Sequence, residues 1–299
     1  MDGSSLWFAG LLGLSVMAWW GGVRLTRGRP WVAESVIVGS LVWLGVWAWL
    51  MHNPEVTLRI IPAGVLSFVE GVGSVPVFML LAGAAFGRAA GWRQGGVTAA
   101  AGALGLVYLF YGGWWMLQST PANAFGGFGR SAVVMQANDY SCVPAACTTT
   151  LRLLGVRASE TEMAELTRTR PGRGATLVRA AAAMERKLAG KAGVSVVGLA
   201  QEQLGGVMMP AMTPLQFEAG RYHMVTLLEV SDRGGVWLLD PVDGLVYMSE
   251  GMFGLVYQGK VLVVDPPAGG MAQGARLRIS GLIRQAAALA GGRDLSTGG

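Results

Sequence analysis

The chain has 299 residues, of which 52% are hydrophobic and 14% charged, with a net charge of +5 at pH 7 and a mean hydropathy of +0.45. A typical soluble domain is about 25% charged, so this composition excludes a wholly soluble protein. It does not describe a nucleic-acid binder either, because the arginines are scattered beside apolar runs and along the C-terminal end, with no basic stripe interleaved with aromatics.

The apolar excess is uneven. From Met1 to about Thr120 the chain is largely Leu, Val, Ala, Gly, Phe and Trp, and from about Gly129 onward its charge density is that of a globular domain. The expected organisation is a membrane region over 1–120, a linker over 121–130, a folded domain over 131–268 and a Gly-rich, basic tail over 269–299. The third segment, about 140 residues, is long enough for its own core.

Ser5 to Val23 is an apolar run of bilayer-spanning length followed by the basic stretch RLTRGRP. The preceding MDGSS lacks the positive region of a signal peptide, so the run reads as a retained helix. Ala33 to Met51 is a second span. Pro62, Glu70, Gly71, Gly73 and Pro76 break the stretch from Leu58 to Phe86. Within it, Val75 to Phe86, extended back toward Phe68, reads as the third span, and Arg59 to Ser67 as an interfacial lead-in. Val97 to Leu117 is the fourth. Arg24, Arg27 and Arg29 after the first span, and Arg88 and Arg93 after the third, set those loops in the cytoplasm. The folded domain is then expected outside the cytoplasmic (inner) membrane, in the periplasm or its equivalent. Glu70 reads more simply as a residue at a helix break than as a functional intramembrane carboxylate.

Pro121 to Gly129 (PANAFGGFG) reads as the linker. Pro144 to Leu154 is a helical run, and GATLVRAAAAMERKLAG strongly favours a second helix. VSVVGLA, HMVTLLEV, GVWLLD, LVYMS and KVLVVD then read as strands of an antiparallel sheet. Helices first and sheet second describe an α+β domain.

The chemistry concentrates in QANDYSCVPAACTTTLRLLG. Cys142 falls just ahead of the helical run, where unpaired N–H groups and the positive end of the helix dipole favour an anionic sulfur. Gln136, six residues earlier, offers an amide donor for an oxyanion formed at that sulfur. Downstream, His223 in RYHMVTLLEV is the candidate base and Asp240 in WLLDPVDG the orienting carboxylate. The other histidine, His52, lies in a short membrane loop. Asp243 and Asp232 compete with Asp240, but Asp240 ends a strand beside the histidine strand, whereas Asp243 suits the DPVDG turn. Asp139 is positioned to cap the cysteine helix. Cys147, five residues past Cys142, points elsewhere on the same helix, so no disulfide joins them. No CxxC or HExxH spacing is present, and neither a metal nor a cofactor is expected.

These residues resemble a known family. QANDYSCVPAACTTTLRLLG is similar to the N-terminal motif of the C39 peptidases, the papain-like enzymes that cleave double-glycine leader peptides. RYHMVTLLEV through KVLVV is similar to their later half. The resemblance covers about Ser131 to Asp265, with intervals of 81 residues from Cys142 to His223 and 17 from His223 to Asp240. It implies a papain-like cysteine peptidase domain with Cys142 as nucleophile, His223 as base, Asp240 as orienter and Gln136 as oxyanion donor. It also implies cleavage after small, Gly-Gly-like residues. Two departures stand out. Val143 occupies a position that is usually Gly in the family, and no G-x-x-x-x-G-K-S/T motif follows, so the chain is not an ATP-driven exporter.

The expected function is a membrane-anchored thiol peptidase whose partners are a peptide or protein substrate and the lipid bilayer, with an exporter or a small leader-bearing peptide nearby. A transglutaminase-like or peptide-ligating acyltransferase uses the same triad with an amine in place of water. A non-catalytic peptide-binding accessory of an exporter is the third reading. In the tail, Leu282, Ile283 and Leu289 ahead of Gly291–Gly292 loosely imitate a leader, which raises self-cleavage after Gly292. A basic amphipathic helix running into a Gly-rich end is the plainer account.

Overall fold

The computed structural model describes residues 3–118, 132–170, 174–232, 234–265 and 270–291. The chain divides into two compact units, Met1–Ser119 and Thr120–Gly299. The expected linker at 121–130 and the Gly292 site lie outside the described residues.

The first unit is helical: α1 (Gly3–Thr26), α2 (Pro30–His52), α3 (Pro54–Ile60), α4 (Ala63–Val69), α5 (Val75–Gly87) and α6 (Trp92–Gly113). Among the described residues, three helical stretches, Ser4–Thr26, Pro30–His52 and Trp92–Leu117, are long and apolar enough to cross a membrane. The segment expected as a third span is shorter. At 13 residues, α5 rises about 20 Å against a hydrocarbon core of about 30 Å. It does not continue back to Phe68, because Gly71 takes a left-handed φ of +83° and Pro76 enters the first turn of α5. Glu70 sits at that break, as the C-cap of α4. Helices α1 and α5 meet through small residues. A Cβ on Gly83 would run into the Trp19 carbonyl, and one on Gly22 would meet the Leu80 carbonyl at 2.5 Å. Backbones that approach this closely gain their attraction from packing, the contact available to helices in lipid.

The second unit places α7 (Cys142–Leu153), α8 (Glu160–Thr167) and α9 (Leu177–Leu188) before a six-stranded antiparallel sheet. Its strands are β1 (Gly193–Gly198), β2 (Ala211–Glu218), β3 (Arg221–Val230), β4 (Val236–Asp240), β5 (Gly244–Met248) and β6 (Lys260–Asp265), in the order β1-β6-β2-β3-β4-β5. Two of these helices start on side-chain caps: Ser159 accepts from the Glu162 N–H for α8, and Thr176 from the Arg179 N–H for α9. A core of Leu215, Val225, Leu227, Leu238, Phe253 and Val261 lies between the sheet and α10 (Glu250–Val256). Strand β2 has no counterpart among the expected strands, because Thr213, Pro214 and Gln216 interrupt its apolar pattern. Pro214 lies opposite Met224 of β3, and β6 pairs with β2 at Met212.

The stretch that composition marks as a tail is, through Gly291, the helix α11 (Gly270–Gly291). Ile279 is buried with Leu153, Leu228 and Leu239. Arg278 donates from Nη1 to the Leu153 carbonyl at 2.7 Å, at the C-terminal end of α7.

Candidate active site

Helix α7 is built to be buried. Every residue from Cys142 to Leu153 except Arg152 is buried, and its polar side chains are hydrogen-bonded inside, as buried hydroxyls must be. Thr148 Oγ1 donates to the Pro144 carbonyl at 2.7 Å, Thr149 Oγ1 accepts from the Val134 N–H at 3.0 Å, and Thr150 Oγ1 lies 3.2 Å from Thr226 Oγ1 of β3. Thr226 Oγ1 also donates to the Ala146 carbonyl at 3.3 Å. These bonds lock α7 against β3 and carry Cys142, at the first turn of the helix, toward His223 near the start of the strand.

The helix begins at Cys142 because the preceding segment turns sharply. Ser141 N–H donates to the Asn138 carbonyl at 3.0 Å, and Ser141 Oγ both donates to that carbonyl and accepts from the Asn138 N–H. The cap position therefore falls on Ser141 rather than Asp139, which is exposed two residues earlier. Pro144 lies in the first turn, where an amide proton would have no acceptor within the helix. Cys142 is 9% exposed, while Cys147 is wholly buried at 0%. Both are free thiols, and burial together with the neighbouring Cys142 pushes the Cys147 thiol far up.

His223 Nε2 lies 2.9 Å from Asp240 Oδ1, and the ring makes a second side-chain hydrogen bond to Cys142. The imidazole thus bridges sulfur and carboxylate, with Nδ1 left for the sulfur. Burial works against its charged form, but the hydrogen bonds to Asp240 and Cys142, and the charges behind them, outweigh burial and raise His223 to about 9. For Asp240 burial pushes upward, yet the bonds from His223 and from the Val242 and Asp243 amides hold its carboxyl below the ordinary value. The Val242 N–H reaches Oδ1 at 2.7 Å and the Asp243 N–H at 3.3 Å. Asp243 itself is exposed in the turn and Asp232 is exposed elsewhere, so neither takes the position that Asp240 holds.

Gln136 joins through its backbone. Its N–H donates to the Pro241 carbonyl at 2.8 Å, directly after Asp240, so the turn that grips the imidazole also grips the loop upstream of Cys142. Its side-chain Oε1 is buried without a hydrogen-bond partner among the described residues. Cys142, His223 and Asp240 are therefore connected side chain to side chain, and Gln136 is tied to them through Pro241. Glu160 is a further residue of this neighbourhood that the motif pattern did not single out. It is fully buried at 0%, and its Oε1 accepts from the Ala137 N–H at 3.0 Å. In sequence it reads as one of several acidic residues at a helix start, with nothing to mark it as interior.

No family model matches the chain. An uncharacterised protein of Methanothermobacter marburgensis is 34% identical over 137 residues, which cover 46% of this chain and 90% of that protein. A second, from Methanothermobacter thermautotrophicus, is 32% identical over 139 residues, covering 46% and 92%. The chain belongs to their family. More than half of this member lies beyond the shared stretch. Among solved structures the chain is similar to a double glycine motif protease from an AMS/PCAT transporter in complex with the leader peptide. That similarity has 16% identity over 50% of this chain and 99% of that one, with a TM-score of 0.40. It is also similar to the peptidase domain of Streptococcus ComA, a bi-functional ABC transporter of a quorum-sensing pathway. There the identity is 18% over 44% and 96%, with a TM-score of 0.40.

Proposed function

We propose that the protein is a membrane-anchored cysteine peptidase that cleaves peptide bonds after small, Gly-Gly-like residues. The observation that carries this reading is the hydrogen-bonded run Cys142–His223–Asp240 at the start of a buried helix. In the proposed reaction Cys142 Sγ attacks the scissile carbonyl while its proton resides on His223. The Cys142 N–H and the Gln136 side chain receive the oxyanion, and the imidazolium protonates the departing amine. Water then attacks the thioester with neutral His223 as base, returning the proton to the sulfur. Asp240 keeps the ring in the orientation these transfers need. The resemblance of QANDYSCVPAACTTTLRLLG to the C39 motif supports the same roles. Val143 is compatible with them, because it is a helical residue buried at 2% exposure rather than a residue that needs glycine's freedom.

The anchor is assigned to the helical unit, and the arginines at 24, 27, 29, 88 and 93 favour an extracytoplasmic peptidase domain. The test is incubation of the full-length protein in detergent with peptides carrying a Gly-Gly site, with and without an added primary amine, followed by mass spectrometry. Cleavage after the glycines, lost on pretreatment with a thiol alkylator that marks Cys142 and leaves Cys147 unmodified, is the expected result. Amine adducts in place of hydrolysis would make the enzyme an acyltransferase. Uncut peptide, with Cys142 unreactive, would sink both. Protease added to intact spheroplasts should digest the domain, and complete protection until lysis would overturn the proposed orientation.

A further inference from the structure

Two consecutive amides of the loop before Cys142 are held by two different parts of the fold. Gln136 N–H donates to the Pro241 carbonyl, and Ala137 N–H donates to Glu160 Oε1 at 3.0 Å. A carboxylate at 0% exposure is costly to bury unless hydrogen bonds repay its lost hydration. Helix capping does not account for this one. The cap of α8 is already filled by Ser159, which accepts from the Glu162 N–H at 3.1 Å, while Glu160 reaches 23 residues back along the chain to the loop. Its place in the first turn of α8 favours the negative charge it brings there.

Resting on the reading of Gln136 as oxyanion donor, we propose that Glu160 is a positioning residue, whose carboxylate anchors the 136–141 loop and so sets where the Gln136 amide stands relative to Cys142. The bonds between Asn138 and Ser141 are internal to the turn and travel with it. The Pro241 bond restrains one amide and leaves the peptide plane of Gln136–Ala137 free to pivot about it. The Ala137–Glu160 bond removes that pivot. In this role Glu160 acts through the loop, by its bond to the Ala137 N–H.

Two reagents separate this from general support of the fold. Acylation of Cys142 by p-nitrophenyl acetate passes through an oxyanion, whereas alkylation by iodoacetamide does not, and both are read by intact mass on the full chain in detergent. In Glu160→Ala, acylation should slow about tenfold with alkylation within twofold of wild type, a fraction of the hundredfold or more that follows outright loss of an oxyanion donor. Glu160→Gln, which keeps a neutral acceptor for the Ala137 amide, should return to within threefold. Glu160→Ala added to Gln136→Ala should cost nothing more. If Glu160→Ala does not fold, Glu160→Asp, which withdraws the acceptor by one methylene, is read by the same acylation-to-alkylation ratio. An unchanged ratio in an active enzyme, both rates falling together, or additive effects in the double variant would overturn the positioning role alone. A wild type whose Cys142 acylates no faster than free cysteine would remove the peptidase reading, and this inference with it.

Discussion

The two units of this protein solve the same problem of burial in opposite ways. In the helical unit large apolar side chains face outward: Trp31, Trp43 and Trp49 of α2 are all about half exposed or more. Its close interior contacts are made by glycines, such as Gly22 and Gly83 at the α1–α5 crossing. In the α+β unit the aliphatic side chains turn inward, and the interior also holds threonines, an aspartate and a glutamate, each with a hydrogen-bonding partner. A surface suited to lipid needs little internal polarity. The proposed proton transfers need polar groups held where water cannot rearrange them. In the α+β unit, such groups include the threonines of the helix that carries Cys142.

That contrast breaks most plainly if activity survives loss of the sulfur. Cys142→Ala should lower peptide turnover by about 10⁴-fold or more while leaving the circular dichroism spectrum unchanged, since the alanine fits the same helix start. Retained turnover would move the nucleophile elsewhere.

Next in size is the carboxylate. Asp240→Asn should reduce kcat by about 10³- to 10⁴-fold, because an amide presents a donor where the imidazole needs an acceptor. Asp243→Asn should stay within about threefold. Equal losses at the two positions would show that the turn, not the carboxylate, is what His223 requires.

The pH profile sharpens the same point. His223 is raised to about 9, so the form carrying the proton that the leaving amine needs should persist through neutral pH. It should disappear as pH climbs through about 9, with turnover falling about tenfold per unit beyond. The sign is the same for stability. A raised histidine favours the folded state fully below its ordinary value near 6.5, and that contribution is lost as pH rises through about 9. In Asp240→Asn the alkaline limb should move down, and a limb that stays near 9 in that variant would assign it to another group.

The smallest effect separates the two interiors directly. Leu227→Ala, at 0% exposure under the sheet, should destabilise the α+β unit by about 2–5 kcal/mol. Val42→Ala, at 61% exposure on α2, should change unfolding by less than about 0.5 kcal/mol in detergent. Comparable losses would mean that α2 is packed in the native protein.

The sequence carries the α+β order of elements, and it marks Cys142, His223 and Asp240 as candidates because each of them sits at an element boundary that local pattern shows. Cys142 precedes a helical run, His223 opens a β-branched and aliphatic strand, and Asp240 closes one ahead of a Pro–Gly turn. Other features stayed hidden for equally local reasons. Strand β2 is hidden because Pro214 spoils its alternation, and only its pairing with β3 reveals that the proline is tolerated. The short α5 reads as a longer span because hydropathy averages across the left-handed Gly71. Glu160 is invisible because burial comes from tertiary packing, and a glutamate at a helix start looks the same whether it meets water or an amide of another loop. Ser141 took the cap from Asp139 because the Asn138 turn delays the helix, a detail of hydrogen bonding that composition does not encode.

The helix that presents Cys142 also fixes its fate under oxidants. Its only fellow thiol, Cys147, is five positions along the same helix and fully enclosed, too far along the axis for a sulfur–sulfur bond without unwinding α7. A sulfenic acid formed at Cys142 therefore has no internal thiol to condense with. Recovery depends on small thiols that can reach the site before a second oxidation makes the loss permanent.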